Sequence, residues 1–220
     1  MMTLAGWPGP ARHRVVRAGA AEAGVLAQVI ADAFTVLDVS QWLVPDPDMR
    51  RMILPGYFAL LVEHALAEGL VLTTPDREAA ALWLPVPETG PGGPPEGYRA
   101  RLAAMTGPHL DRFEVLDEAF DLHHPVGVPH EHLAILAVHP DRQRLGIGTA
   151  LLNAHHAILD KNGTPAYLEA SDPAKREIYL AHGYADVGKP IQLPDGPSMY
   201  PMVRRPKRHV LSERADKRPT

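Results

Sequence analysis

The 220-residue sequence contains no cysteine. Disulfide bonds, thiolate-ligated metal sites and a cysteine nucleophile are therefore excluded. A long apolar run is also missing, because the stretch YFALLVEHALAEGLVL is interrupted by Glu63, His64 and Glu68, whereas a membrane-spanning helix needs about 20 apolar residues. A basic excess is lacking as well, since the formal net charge at pH 7 is -4. We therefore expect neither a membrane nor a nucleic-acid partner.

The composition that remains is typical of a soluble globular protein. Hydrophobic residues make up 45% and charged residues 22% of the chain, which are ordinary proportions for that class. The first residues show no signal-peptide pattern, so we expect a cytoplasmic protein. At roughly 150 residues per domain, we expect a single domain over 1–205 and a basic, mobile tail over 206–220.

The spacing of apolar residues predicts a mixed α/β order of elements. In the first half, a helix over 20–34 is followed by the helical region DPDMRRMILPGYFALLVEHALAEG, which is predicted to be interrupted at Pro55-Gly56 and closed by Gly69. The runs LVLTTPD and AALWLPVP predict an antiparallel hairpin. In the second half come the strand HLAILAV, a loop, a helix, the strand PAYLEAS, the helix AKREIYLAHG and a final strand pair.

The stretch DRQRLGIGTALLNA leads from a charged loop through Gly146 and Gly148 into an amphipathic helix that is predicted to begin at Thr149. Glycines remove side chains that would block close approach, and the unpaired N–H groups of a first helical turn attract anions. Arg142 and Arg144 add positive charge nearby. The loop is therefore either an ordinary turn or a backbone cradle for a phosphate-bearing ligand.

Two common phosphate-binding patterns do not fit this loop. A P-loop requires a lysine directly after the glycines, where this sequence has Thr149, and a Rossmann fingerprint requires a third glycine, where it has Leu151. Both of these nucleotide-binding classes are thereby excluded. The residues of the loop alone leave the turn and the cradle open.

The pattern Gln143-x-x-Gly146-x-Gly148 resembles the acetyl-CoA loop of the GNAT superfamily of N-acetyltransferases, in which backbone amides hold the pyrophosphate of coenzyme A. The resemblance extends from about Leu133 to Met202 and includes four segments in the same order, LAVHPDRQRLGIGTALL, PAYLEAS, IYLAHGY and LPDGPSMYPMVR. Within the superfamily, these segments are most similar to the puromycin N-acetyltransferase group and related actinobacterial enzymes.

This resemblance implies both a fold and an activity. The fold is mixed α/β, with a central, mostly antiparallel sheet that splays at the cofactor site and is flanked by helices. The activity is transfer of the acetyl group of acetyl-CoA to a primary amine of a small-molecule acceptor, by direct attack in a ternary complex. An acyl-CoA-binding sensor or interaction module on the same fold is the alternative. C-terminal strands of this fold commonly pair between chains, so a homodimer is also open.

The resemblance further implies which residues contact the cofactor. In the family, the strand before the loop leaves its neighbour and offers backbone groups to the pantetheine arm, and one N–H polarises the thioester carbonyl. The sequence departs from the family at Lys175, where related enzymes often have asparagine; a lysine there either reaches a cofactor phosphate or faces solvent. The residues at the matching positions are Leu136, Ala137, Val138, Gln143, Arg144, Leu145, Gly146, Ile147, Gly148, Thr149 and Lys175.

Three residues are candidates for proton transfer. Tyr179 in REIYLAHGY matches the tyrosine that usually protonates the departing coenzyme A thiolate in the family, although a lone tyrosine on an apolar helix face is more often part of the core. Glu169 in YLEAS is the first candidate for the general base, because a carboxylate on a strand beside the cofactor needs a task or a partner. His132 is the second, because the ordinary pKa of histidine suits a base near neutrality.

The segment HHPVGVPHEH raises the question of a metal site. His130 and His132 are two residues apart on a strand and point to one face, which is an arrangement that binds zinc. Glu131 points to the other face, and no well-spaced third ligand is evident. We therefore expect no metal.

The first half of the chain is expected to form the acceptor pocket. Its candidate residues mix aromatic and acidic groups, which would suit a cationic or aromatic amine, although packing between two helices is the simpler explanation for each. They are Trp42, Asp46, Asp48, Tyr57 and Phe58.

Overall fold

The computed structural model describes residues 13–207, and most of the predicted tail therefore lies outside the described residues. Eight strands lie in the described range: β1 (Val16–Arg17), β2 (Leu70–Thr73), β3 (Ala79–Val86), β4 (His130–Val138), β5 (Ala166–Ala170), β6 (Tyr184–Asp186), β7 (Ile191–Gln192) and β8 (Ser198–Arg204). The sheet has the order β1-β2-β3-β4-β5-β8-β6, and β7 pairs with β8 outside this row. The pair β4–β5 is parallel, and the other pairs are antiparallel.

Helices flank this sheet. They are α1 (Ala23–Phe34), α2 (Asp38–Leu43), α3 (Pro47–Glu68), α4 (Tyr98–Thr106), α5 (Leu110–His123), α6 (Ile147–Asn162) and α7 (Pro173–Ala181). Over residues 13–207, no helix combines the length and the apolarity needed to cross a membrane. The predicted mixed α/β fold with a mostly antiparallel, helix-flanked sheet is thus confirmed.

The alternation of side chains along β3 divides the interior into two cores. Ala80 and Leu82 pack into a core with α1, α3 and α5, whereas Ala81 and Trp83 pack into a second core with α6. Successive side chains of a strand point to opposite faces, so a strand buried on both sides is apolar throughout. The sheet is therefore the middle layer between the helices of the first half and the helix that follows the glycine loop.

The sheet splays between β4 and β5. Their register comprises two residue pairs, Glu131 with Ala166 and His132 with Tyr167, whereas β4 stays paired with β3 along its whole length to Val138. Residues 133–138 therefore turn an unpaired strand edge toward β5 in the described part of the chain. This is the splay that the resemblance predicts.

The predicted interruption at Pro55-Gly56 is wrong, because α3 runs through both residues. An internal proline removes one helical hydrogen bond and costs about 3 kcal/mol. The buried side chains of the helix offset this cost, since Leu54 and Phe58 are almost fully buried and burial of each such side chain contributes about 1.5–3 kcal/mol. Gly69 ends the helix, as predicted.

Candidate active site

One cavity of about 810 Å³ joins the splayed strands to the helices of the first half. Aromatic side chains from several helices form one part of its wall, and the loop between β4 and α6 forms another. It brings together all the predicted site residues except Leu145, namely His132, Leu136, Ala137, Val138, Gln143, Arg144, Gly146, Ile147, Gly148, Thr149, Glu169, Lys175 and Tyr179. Leu145 is 51% exposed and lies outside this lining.

The two glycines of the loop serve different purposes. Gly146 precedes α6 with a φ of 87°, in the left-handed region that glycine adopts without a steric penalty. Gly148 lies inside the first turn, and a Cβ at this position would be 3.6 Å from Val138 Cγ2 and 3.9 Å from Leu136 Cδ2. Gly146 is therefore needed for the backbone turn, and Gly148 leaves space beside the unpaired edge of β4.

The first turn of α6 presents free backbone donors to the cavity. The helix begins at Ile147 and not at Thr149 as predicted, because Gly146 already has the conformation that starts it. The first N–H that bonds back to the start of the helix is that of Ala150, which donates to the Gly146 carbonyl. The N–H groups of 147–149 precede this bond, so together with the helix dipole they form an anion-binding end.

Side-chain contacts fix the loop against the sheet. Gln143 Nε2 donates to the Val138 carbonyl at 3.1 Å, and Arg142 Nε donates to Glu78 Oε2 at 2.6 Å. The side chain of Arg144 lies at the cavity with no such partner among the described residues. Gln143 therefore fixes the loop, and the charge of Arg144 lies at the cavity.

Glu169 on β5 is the most buried carboxylate of the cavity. Its side chain is 5% exposed, and Oε2 lies 2.9 Å from His132 Nε2. Oε1 lies 4.0 Å from His124 Nδ1 and has no hydrogen-bond partner in the described residues. Burial by itself raises the pKa of Glu169, but the charge and hydrogen bond of His132, assisted by the Tyr167 hydroxyl, outweigh burial, so the pKa lies below its ordinary value. Glu169 is thus held as an ionised carboxylate beside two imidazoles.

A short chain of hydrogen bonds orients His124, which stands at the end of α5. His130 Nδ1 lies 2.8 Å from the Val128 carbonyl and must donate to it, so its Nε2 accepts from His124 Nε2 at 3.0 Å. The Nδ1 lone pair of a neutral His124 then points toward Glu169. Burial, with a smaller contribution from His132, lowers the pKa of His124 to about 4, so this imidazole is neutral near pH 7.

Sequence reasoning named Glu169, His132 and the histidines of HHPVGVPHEH separately but missed that His124 joins the first two. The donor atoms of His124, His132 and Glu169 lie within 4.8 Å of one another, a spacing that also admits a metal ion. The available signal was the alternation along β4, which directs His130 and His132 to one face. It did not extend to His124, which belongs to another element.

Tyr179 on α7 lines the cavity one helical turn after Lys175, so both lie on one face of the helix. The helix is capped by Asp172, whose side chain accepts from the Lys175 backbone N–H at 2.8 Å. Burial, assisted by the charge of Asp172, raises the pKa of the Tyr179 hydroxyl. The phenol therefore stays protonated over the physiological range and is available as a proton donor.

The predicted acceptor residues divide into two groups. Tyr57 and Phe58 line the cavity. Trp42 instead donates to the Pro194 carbonyl at 2.9 Å, and Asp46 caps α3 by accepting from the backbone N–H groups of Asp48 and Met49. Trp42 and Asp46 are thus explained by packing and capping, and the Asp48 carboxylate pairs with Arg51 on the surface, at 2.7 Å from Oδ1 to Nη1.

Sequence reasoning missed an acidic part of the cavity wall on α5. Asp117 and Asp121 are one helical turn apart and both line the cavity. Asp117 Oδ2 accepts from the Tyr98 hydroxyl at 3.0 Å, and burial raises the pKa of Asp117 to about 6. These carboxylates give the acceptor end of the cavity a negative charge.

One known domain family matches the part of the chain that carries this geometry. Residues 115–186 match the sequence model of the acetyltransferase (GNAT) domain. This segment contains β4, the glycine loop, α6, β5 and α7, which carry every predicted catalytic and cofactor residue. The match covers about a third of the chain, and this segment is therefore similar to the GNAT acetyltransferase domain.

Solved structures share the fold at low sequence identity. A protein from Corynebacterium glutamicum described as histone acetyltransferase HPA2 and related acetyltransferase is 23% identical, with a TM-score of 0.69 over 90% of this chain and 99% of that one. Arylalkylamine N-acetyltransferase 2 from Aedes aegypti is 12% identical, with a TM-score of 0.54 over 88% and 99%. The PaiA N-acetyltransferase from Thermoplasma acidophilum, solved with coenzyme A, is 10% identical, with a TM-score of 0.53 over 87% and 98%.

Proposed function

We propose that this protein is an N-acetyltransferase that transfers the acetyl group of acetyl-CoA to a primary amine of a small-molecule acceptor in a ternary complex. One cavity is lined by an anion-binding helix start, an unpaired strand edge, the Glu169–His132 pair and Tyr179. This combination is the observation that carries the proposal. Each of these features supplies one requirement of acyl transfer from a thioester.

Binding of the cosubstrate is assigned to backbone groups. The N–H groups of 147–149 receive the pyrophosphate, and Gly148 allows it to approach. The unpaired edge at Leu136, Ala137 and Val138 pairs with the pantetheine arm, and one N–H of this edge polarises the thioester carbonyl. Arg144 and Lys175 add cations at the mouth of the cavity. The coenzyme A bound in the Thermoplasma acidophilum neighbour supports an acyl-CoA ligand for this fold.

Transfer of the acetyl group requires two proton transfers, and each is assigned to a side chain of the cavity. The amine nitrogen attacks the thioester carbonyl carbon, the carbon–sulfur bond breaks, and the amine loses a proton. The Glu169–His132 pair takes this proton because it is the buried base at the junction of the splayed strands. The Tyr179 hydroxyl gives a proton to the departing thiolate, so that free coenzyme A and the acetylated amine are the products.

The acceptor is assigned to the half of the cavity formed by the first helices. Tyr57 and Phe58 provide an aromatic wall, and Asp117 and Asp121 provide negative charge. This combination suits a small amine with an apolar or aromatic body. The likeness to the puromycin N-acetyltransferase group rests on segments between Leu133 and Met202, outside the helices that form this half, and it stays a prediction, as do the cytoplasmic location, the single domain over 1–205 and the homodimer.

The proposal is tested by incubating the protein with acetyl-CoA and a library of primary amines and measuring free thiol and the acetylated product. We expect equal amounts of both with at least one small amine. Binding of acetyl-CoA without turnover on any amine would favour the alternative, an acyl-CoA-binding sensor or interaction module.

A further inference from the structure

We infer that His124, His132 and Glu169 form a Zn²⁺ site, and that an ion bound there blocks acyl transfer. The three side chains come from α5, β4 and β5, and their donor atoms lie within 4.8 Å of one another. Glu169 is 5% exposed and His124 is 3% exposed. Glu169 Oε1 makes no hydrogen bond within residues 13–207. The buried Tyr167 hydroxyl is the neighbouring donor, and a cation would compete with it for this carboxylate.

The separations fit tetrahedral zinc after small side-chain movements. Zinc ligands at about 2.0–2.2 Å from the ion are about 3.4 Å from one another. The distance from Glu169 Oε2 to His132 Nε2 is 2.9 Å, and the distance from Glu169 Oε1 to His124 Nδ1 is 4.0 Å. These two distances end on different oxygens of Glu169. With one ligand atom per residue, the three atoms lie within 4.8 Å of one another, so the side chains have to close in by about 1 Å to reach the ideal spacing, and the cavity leaves a fourth position for water.

A neighbouring histidine already prepares one ligand. His130 accepts from His124 Nε2 and donates to the Val128 carbonyl, which leaves His124 Nδ1 unprotonated and aimed at Glu169. Outer hydrogen bonds of this kind fix the tautomer and ring orientation of metal-binding histidines. Two imidazoles and one carboxylate favour zinc over magnesium or calcium, which prefer oxygen ligands alone.

The blocking effect rests on the proposed function, whereas the binding of zinc does not. An ion on Glu169 and His132 removes the pair that takes the proton from the amine. The cofactor donors at 147–149 belong to another wall of the cavity. Zinc is therefore expected to inhibit turnover without weakening the binding of acetyl-CoA.

The test is a titration of the untagged protein with Zn²⁺ in competition with a chromophoric chelator. We expect one tightly bound ion per chain, a loss of affinity of more than about 100-fold in His124→Ala and Glu169→Gln, and a loss of about 10- to 100-fold in His130→Gln. The matched control is His123→Ala. His123 adjoins His124 but is exposed, and its ring bonds to the Ala119 carbonyl, so this variant is expected to bind zinc like the unmodified protein.

A second measurement guards against variants that fail to fold. Circular dichroism verifies the fold of each variant, and the visible absorption of the Co²⁺-loaded unmodified protein reports four-coordinate geometry. Absence of saturable Zn²⁺ binding, equal affinity in all variants, or an octahedral Co²⁺ spectrum would overturn the site. Zinc binding in a protein without turnover would leave the site standing and refute the proposed function, whereas turnover without zinc binding would do the reverse.

Discussion

Replacing Gly148 with alanine is expected to raise the stability of the protein and to weaken its binding of acetyl-CoA. The added Cβ would be 3.6 Å from Val138 Cγ2 and 3.9 Å from Leu136 Cδ2, which are ordinary contacts. No atom of the protein has to move, and alanine in place of glycine within a helix contributes about 0.5–1 kcal/mol. The free energy of unfolding should therefore rise by an amount of this order.

The same methyl group would occupy the space through which a phosphate reaches the N–H groups of 147–149. Loss of one hydrogen bond to a charged group costs about 1.5–3 kcal/mol, which corresponds to a roughly 10- to 150-fold weaker affinity. Calorimetric titration with acetyl-CoA measures this effect, and thermal unfolding measures the change in stability. The prediction thus gives the two quantities opposite signs.

Gly24 provides a matched control for this experiment. It is the second residue of α1, as Gly148 is of α6, and a Cβ at Gly24 meets nothing within 4 Å. Gly24→Ala should raise the stability and leave the affinity for acetyl-CoA unchanged. If Gly148→Ala bound acetyl-CoA like the unmodified protein, the backbone cradle would be refuted and the loop would be an ordinary turn. Gly146 is unsuited to the test, because its φ of 87° makes any substitution strained.

Three further predictions concern single side chains. Glu169→Gln, which keeps the shape of the side chain, should lower kcat by about 10²- to 10⁴-fold with unchanged affinity for acetyl-CoA; steady-state kinetics that differ less than tenfold would remove this carboxylate from catalysis. Tyr179→Phe should lower kcat by about 10²-fold, again without a change in affinity, and an unaltered rate would return this residue to the core. His156→Gln should reduce the sensitivity of the protein to acid. Burial, assisted by the charge of Arg204, lowers the pKa of His156 to about 3. Below pH 6.5, His156 therefore binds a proton in the unfolded chain but stays neutral in the folded protein. The free energy of unfolding therefore decreases as the pH is lowered, by about 2 kcal/mol at pH 5. Denaturant titrations between pH 5 and 7.5 should show a smaller decrease in the variant.

The sequence predicts the strand, glycine loop and helix at 133–162 well because their features are local. The loop, the first turn of α6 and the preceding strand form one contiguous stretch, and glycines, helix periodicity and an apolar run are each read over a few residues. The sequence predicts that α6 begins at Thr149, whereas it begins at Ile147, because the sequence does not show that Gly146 adopts a left-handed conformation. Such backbone details are set by the three-dimensional packing of the loop.

The arrangement of the candidate catalytic groups is predicted only in part, since it depends on strand register. His132 pairs with Tyr167 across the parallel strands, and Glu169 is two residues further on the same face of β5. That register brings Glu169 against His132, although 37 residues separate them in sequence. His124 reaches the pair from the end of α5. A single sequence identifies the three residue types but contains no signal that they lie close together in the fold.

The acceptor half is predicted least, because tertiary packing overrides local signals there. Pro55 lies inside a continuous helix that the sequence divides in two, and the packing of this helix, α3, against α1 decides the outcome. Asp117 resembles any charged residue of an amphipathic helix, yet it faces the cavity and accepts from the Tyr98 hydroxyl. Which face of α5 becomes the wall of the cavity follows from the position of α4 and α3.

The measurement that tests the central claim most directly is a calorimetric titration of the full chain with acetyl-CoA, repeated with Gly148→Ala. We predict saturable binding at one site per chain in the unmodified protein and clearly weaker binding in the variant. Failure of the unmodified protein to bind acetyl-CoA would contradict both the acetyltransferase and the acyl-CoA-binding alternative.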